Sequence, residues 1–129
     1  MTSTLEKPNL LPMSEWRDNQ PIYLQLRELV VSRILSGALP EGDSIPSVRQ
    51  VASEERINPL TVTKAYQMLV EEGLLEKRRG LGMFVRAGAQ KLALAQERAR
   101  FLSDEWPQTL ARIEELQLDP AQLLSGEDS

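Results

Sequence analysis

The 129-residue sequence contains neither cysteine nor histidine. The first absence removes disulfides and thiol nucleophiles, the second removes imidazole bases, and together they remove the usual soft metal ligands. A Gly-rich phosphate loop of the Walker type is also missing. No metal, no cofactor and no catalytic residue is therefore expected, and the carboxylates fall on helix surfaces and in the C-terminal stretch. Residues 1–14 hold no long apolar run. They read as neither a signal peptide nor a membrane span, so a cytoplasmic protein with no membrane partner is expected.

What is present is ordinary for a globular chain, with 41% hydrophobic and 26% charged residues. The length suits one domain, or one compact domain with an appendage. The net charge of −4 is at first sight the wrong sign for a nucleic-acid partner, but its distribution matters more than its sum. Residues 15–87 carry ten Lys/Arg and ten Asp/Glu, whereas residues 88–129 carry four and eight. The deficit lies in the tail. Within 64–86, five basic residues (Lys64, Lys77, Arg78, Arg79 and Arg86) face three acidic ones. An acidic tail is compatible with a locally basic binding surface.

Periodicity and punctuation divide the chain into three segments. Residues 1–14 read as a flexible N-terminal arm, polar and with Pro at 8 and 12. Pro21 stands where a first helical residue would, Gly37 closes the segment, and Ile22, Leu26, Leu29, Val30 and Ile34 share one face between them. Residues 38–45 hold Pro and Gly and cannot be helical. A second, short helix begins at Ser47 with Val48, Val51 and Ala52 inward. Asn58 is a good N-cap and Pro59 a good first residue for a third helix, which buries Val62, Ala65, Tyr66 and Leu69 and stops at Gly73. Strand-like pieces come next at 74–77 and 83–86, joined by Arg78-Arg79-Gly80-Leu81-Gly82, whose two glycines permit positive φ in a hairpin. Helix, short helix, tight turn, helix and two-stranded wing is a DNA-binding arrangement.

The ordered set Ile45-Pro46-Ser47-Val48-Arg49, Asn58-Pro59-Leu60-Thr61-Val62, Ala65-Tyr66, Glu72-Gly73-Leu74 and Arg79-Gly80-Leu81-Gly82-Met83-Phe84-Val85 resembles the GntR family of bacterial regulators. Coverage is roughly residues 20–86, and the residues left over resemble the short helical tail of the YtrA-type subfamily. The implied fold class is mainly α (α+β): a winged helix-turn-helix at 15–87 with a helical dimerisation extension at 88–129. The resemblance implies a dimeric repressor of its own operon that acts on a palindromic operator, with linked transporter genes. An enzyme is the competing class, since some relatives fuse this domain to a half that binds pyridoxal phosphate, and this chain is far too short for that. A protein-interaction adaptor is the other, and it would want an apolar or acidic outer face on the third helix.

Chemistry assigns roles within that frame. The outward residues of the third helix are Leu60, Thr63, Lys64 and Gln67. Its N-terminus would enter the major groove, where helix ends also favour phosphate. Thr61 and Thr63 can hydrogen-bond phosphate or base edges, Lys64 brings charge, and Leu60 can touch a thymine methyl. Ser47 and Asn58 with Pro59 open their helices beside the same surface. Arg49 matches an arginine that contacts DNA in relatives; its alternative is an ion pair with Glu54 or Asp43. Arg78 and Arg79, with Gly80, Leu81 and Gly82, form a wing tip suited to a narrow minor groove or its phosphates.

The tail has its own pattern. Leu92, Ala95, Ala99, Leu102, Trp106, Thr109, Ile113 and Leu116 advance by alternating steps of three and four, the seam of a packed helix pair. Packing against the first helix of the same chain is one solution, and mutual packing in a two-fold homodimer is the other, favoured one. Pro107 predicts a kink or break after Trp106. Leu118-Asp119-Pro120 reads as a stop and a new cap with one last helical turn over 121–124, and the chain is expected to fray from Glu127. No enclosed effector cavity is expected within one chain. An unknown small-molecule effector would sit at the dimer interface or near Ala87.

Overall fold

The computed structural model describes residues 16–126. The arm expected over 1–14 and the stretch from Glu127 lie outside them. The chain divides into two compact units, up to Leu94 and from Ala95 on.

In the first unit, α1 (Ile22–Ser36) is set by Pro21, which acts as N-cap and not as the first helical residue, and by Gly37 in the left-handed region at φ 86°. Its apolar face centres on Leu26, Val30 and Ile34, all buried, whereas Ile22 and Leu29 are only half-buried. Polar residues are buried on the same helix. The Gln25 amide accepts from the Arg17 backbone N–H at 2.8 Å and donates to the carbonyls of Arg17 and Gln20 at 2.7 and 2.8 Å. These bonds hold the approach to α1 in place and satisfy an amide that would be costly to bury alone.

Helix α2 (Val48–Glu55) comes next, with Ser47 as its N-cap, and then α3 (Pro59–Glu71). Between them Arg56 adopts φ 55° and ψ 48°, a left-handed conformation that side chains rarely take and that turns the chain sharply from one helix to the next. Helix α3 buries the expected Val62, Ala65, Tyr66 and Leu69. The Tyr66 hydroxyl donates to the Pro46 carbonyl at 2.8 Å, which fixes the start of α2 against α3. Burial pushes this phenol well above its ordinary range, so it remains a donor.

Strands β1 (Leu75–Arg78) and β2 (Gly82–Val85) pair antiparallel with Leu75 opposite Val85 and Arg78 opposite Gly82. Relative to expectation the strands shift by one residue toward the tip. Arg78 and Gly82 are the last pair of the ladder, and the turn is Arg79-Gly80-Leu81. The 38–45 stretch pairs along the other edge of β2: Ile45 N–H donates to the Met83 carbonyl, and Val85 N–H to the Asp43 carbonyl, both at 2.9 Å. Helix α4 (Ala89–Arg100) then begins, and its residues Ala89 and Ala93 are completely buried in the core of this unit.

The second unit contains the rest of α4, a π-helical run at Phe101–Glu105, α5 (Trp106–Glu115) and α6 (Pro120–Ser125). Of the kink or break expected after Trp106, the break does not occur, because α5 runs on through Pro107. Instead the Trp106 N–H reaches back five residues to the Phe101 carbonyl. Pro107 has no N–H to give and its ring crowds the carbonyl four residues earlier; a widened turn just before it relieves both problems and lets helical geometry resume. Asp119 caps α6 by accepting the Ala121 N–H at 3.0 Å, and Gly126 ends it at φ 78°. None of the described residues from Ala95 on is buried.

Candidate nucleic-acid interface

Local rules build the surface at α2, α3 and the wing. Ser47 Oγ accepts the Gln50 N–H at 3.0 Å and Asn58 Oδ1 accepts the Leu60 N–H at 2.9 Å, so both side chains are engaged as caps. Each such cap is worth about 1 kcal/mol. Pro59 occupies the first turn of α3, where its missing N–H costs nothing. Leu60 is 74% exposed, Lys64 and Gln67 are exposed, and Thr61 and Thr63 are half-buried.

Seven of the expected site residues fall into three groups. Ser47, Thr63, Gln67 and Gly82 line one open cleft of about 590 Å³ between α2, α3 and the wing, with Tyr66, Glu71 and Lys77 also on its walls. Arg49 and Pro59 border a separate depression beside Ala52 and Ile57 at the helix-turn-helix corner. Lys64 leans elsewhere: its ammonium lies 4.0 Å from the centroid of the Tyr23 ring on α1, a cation–π contact.

Charge is partitioned as well. Arg49 makes neither of the ion pairs weighed for it; Glu54 instead accepts from Gln50 Nε2 at 3.3 Å. At the wing, Arg78 is drawn back from the tip. Its Nε donates to Glu76 at 2.9 Å and its guanidinium lies 4.1 Å from the Phe84 ring centroid. Arg79 is exposed and engaged by nothing among the described residues. Among the described residues, the cationic side chains near this surface with no partner are thus Arg49 at the corner, Arg56 in the turn between α2 and α3, Lys77 on the cleft wall, Arg79 at the tip and Arg86 just past β2.

Sequence reasoning missed several features. Lys77 entered the charge count but not the site. The Arg27–Glu72 pair joins α1 to the end of α3, with Nε to Oε2 at 2.7 Å and an Arg27 side chain only 5% exposed. It neutralises one of the acidic residues near the basic run. Glu41 accepts the N–H groups of Gly88 at 2.9 Å and Gln90 at 3.2 Å, anchoring the start of α4. No local signal marks either contact, since the partners lie more than forty residues apart.

The tail residues expected at a dimer seam are differently placed. Leu92 belongs to the first unit and lies over Gly73, where an added Cβ would come within 3.1 Å of it. In the second unit Ala95, Ala99, Leu102 and Leu116 are exposed and Trp106 and Ile113 half-buried. The extra residue in the π turn rotates the faces of α5 relative to a uniform helix. Leu110 joins Trp106 and Ile113 on the half-buried face of α5, whereas Thr109 and Leu116 are exposed.

A short helix and a capped second helix across a sharp turn, flanked by a cationic two-stranded wing, define a winged helix-turn-helix of the kind carried by DNA-binding transcription regulators. Residues 22–85 match the family described as "Bacterial regulatory proteins, gntR family". The chain is 31% identical to the uncharacterized HTH-type transcriptional regulator YhcF of Bacillus subtilis, over 88% of this chain and 92% of that one. It is 34% identical to the HTH-type transcriptional repressor YtrA of the same organism, over 73% and 72% respectively. Among solved structures, YtrA from Sulfolobus acidocaldarius, a GntR-family transcription factor, superposes with a TM-score of 0.55 at 29% identity, covering 81% of this chain and 97% of that one. The AraR DNA-binding domain in complex with operator ORX1 gives 0.50 at 29% identity, covering 58% and 92%. The chain belongs to the GntR family, in its YtrA-type subfamily. Members of this family are DNA-binding transcription regulators, not enzymes. No helix among the described residues is long and apolar enough to cross a membrane.

Proposed function

We propose that this protein is a sequence-specific, dimeric repressor of its own operon, acting in the cytoplasm on a palindromic operator, with linked transporter genes under the same control. Residues 15–87 bind DNA in this reading and residues 88–129 dimerise. The observation that carries it is a set of cations, Arg49, Arg56, Lys77 and Arg79, that lie on α2, the turn after it and the wing and have no partner among the described residues. Thr63 and Gln67 supply hydrogen bonds on that face and Leu60 an apolar contact, while the caps at Ser47 and Asn58 present helix N-termini to phosphates. Arg78 and Lys64 act as reserves, since each must leave an aromatic ring to reach a phosphate.

Dimerisation is supported by a second observation. None of the described residues of the second unit is buried, yet Phe101, Leu102, Leu118 and Leu123 are 44–63% exposed. Such a surface is covered when two copies meet, and two-fold symmetry then presents two α3 helices to successive major grooves. The test is a gel-shift titration with the DNA upstream of the protein's own gene, against sheared DNA, at low and high salt. Preferential retention of the upstream fragment that persists as salt rises is expected. Equal affinity for both DNAs at every salt concentration would remove the sequence-specific reading.

A further inference from the structure

The tip of the wing carries a feature that charge does not explain. Leu81 is 72% exposed at the apex of the hairpin and is not part of the core. Its N–H donates to the Arg78 carbonyl at 2.9 Å, so the turn that carries it is closed and defined. Glycines flank it on both sides. Gly80 at φ 76° and Gly82 at φ 113° hold backbone conformations that ordinary side chains resist, and a Cβ on either would meet nothing within 4 Å. The apex is therefore a narrow ridge with a single aliphatic side chain. Arg79 stands beside it with no partner among the described residues, and Arg78 is withdrawn onto Phe84 and Glu76.

We propose that Leu81, steered by Arg79, reads the DNA minor groove and selects A·T over G·C pairs by rejecting the guanine 2-amino group. The inference rests on the DNA-binding function proposed above. The minor groove is about 6 Å wide, too narrow for a broad element but open to one side chain on a bare turn. Its deoxyribose walls are apolar, and apolar side chains are used elsewhere as minor-groove wedges. At A·T pairs the floor shows only acceptors. At G·C pairs the 2-amino donor projects into the space an aliphatic side chain would fill, and leucine offers that donor no acceptor. Arg79 adds to the same preference, because A·T tracts narrow the groove and deepen its negative potential.

The experiment selects duplexes from a randomised pool with the full chain and then alters one selected duplex. An A·T-rich flank beyond the positions that α3 specifies is expected, and changing its A·T pairs to G·C should weaken binding roughly fivefold or more. Changing them to inosine·cytosine should restore affinity to within about twofold, since inosine keeps the major-groove face of guanine but lacks the 2-amino group. Leu81→Asn, at an exposed position that leaves the fold intact, should bring the A·T and G·C affinities together. Three results would overturn the proposal: equal affinity for A·T and G·C flanks, inosine behaving as guanine, or full discrimination retained by Leu81→Asn. If the pool yields no enriched sequence at all, the function proposed above falls and takes this inference with it, an outcome distinct from a selected site with an indifferent flank.

Discussion

The two units of this chain solve the burial problem in opposite ways. The first has a core of its own: Leu26, Val30, Val62, Tyr66 and Leu69 interlock, the Tyr66 hydroxyl and the Gln25 amide are satisfied inside it, and Ala89 and Ala93 complete it. In the second unit the helices are well formed, yet no described residue is buried. Its ion pairs, Arg100–Glu97 and Arg112–Glu115, are local links between residues three apart on the surface. A helical segment of this length gains little stability from propensity alone and depends on packing of its apolar face. The difference teaches that the first unit is specified by its own sequence, whereas the second is specified jointly with whatever covers it.

The comparison breaks most visibly if the tail is made unable to associate. In Leu102→Glu/Trp106→Glu two charges stand on the apolar surface of the second unit, while every core residue of the first is untouched. Light scattering should report monomers, circular dichroism should retain the signal of the winged helix, and operator affinity should fall by two or more orders of magnitude. The size of that loss reflects one half-site binding near the non-specific level, which lies about 10³-fold or more below specific binding. A dimer persisting in this variant would place the interface outside the tail.

Matched arginine deletions sharpen the contrast further. Arg27 is buried and held to Glu72 by two hydrogen bonds; Arg112 and Glu115 have side chains 64% and 68% exposed. Removing one partner of a buried pair costs about 3–5 kcal/mol. Glu72 keeps a quarter of its side chain in water, so Arg27→Ala should cost near the low end, about 3 kcal/mol. Arg112→Ala should cost under about 1 kcal/mol. Denaturant titration of the two variants measures both, and comparable losses would show that the tail pair is buried in the native assembly.

The same division explains what was legible beforehand. The helices of the first unit announce themselves through Gly37, Ser47, Asn58-Pro59 and Gly73, because caps and apolar spacing act within a few residues. The inward set of α3 was readable for the same reason, and so was the hairpin to within one residue. The Arg27–Glu72 pair, the Glu41 anchor and the burial of Ala89 and Ala93 were not, since each depends on contacts between distant segments. Of the candidate site, the positions were legible and their engagement was not. Nothing local reveals that Arg78 folds back onto Phe84 or that Lys64 rests on Tyr23. The tail misled in a more specific way. A strict three-four rhythm assumes a uniform helix, and the π turn ahead of Pro107 breaks that assumption between α4 and α5; within α5, Leu110 and not Thr109 is half-buried with Trp106 and Ile113.

Surface cations of the first unit should produce the next smaller effects. Arg49→Ala removes one DNA contact from an exposed helix position and should weaken operator binding by about 1–3 kcal/mol with unchanged melting temperature. For Arg79→Ala the expected signature is different: weaker binding to every sequence, most of all to A·T-rich flanks, and a slope of log K against log salt that is shallower by about 0.9 for the lost ionic contact. Filter-binding titrations across salt concentrations separate the two. A slope unaltered by Arg79→Ala would mean that the wing tip carries no ionic contact with the backbone.

The smallest effect is expected at Glu41, whose exposed carboxylate adds a charge contact to a helix start already anchored by the buried Ala89. Its carboxylate accepts the Gly88 N–H first and the Gln90 N–H second, and these bonds lower its pKa from the ordinary 4.5, against a slight opposing effect of burial. Both donors belong to the opening of a helix, where a negative charge is favoured. A carboxylate whose pKa is depressed by folding contributes stability that is present above its unfolded value near 4.5 and is lost as pH falls through the folded value. Glu41→Gln should therefore melt slightly below the parent at neutral pH, and the two curves should converge in acid, well below pH 4.5. High salt should narrow the neutral-pH gap, because the group is fully exposed and screened. Melting temperatures across pH 3–8 provide the check. A gap that stays constant into acid would mean that the side chain acts through its shape and hydrogen bonds alone, with no contribution from its charge.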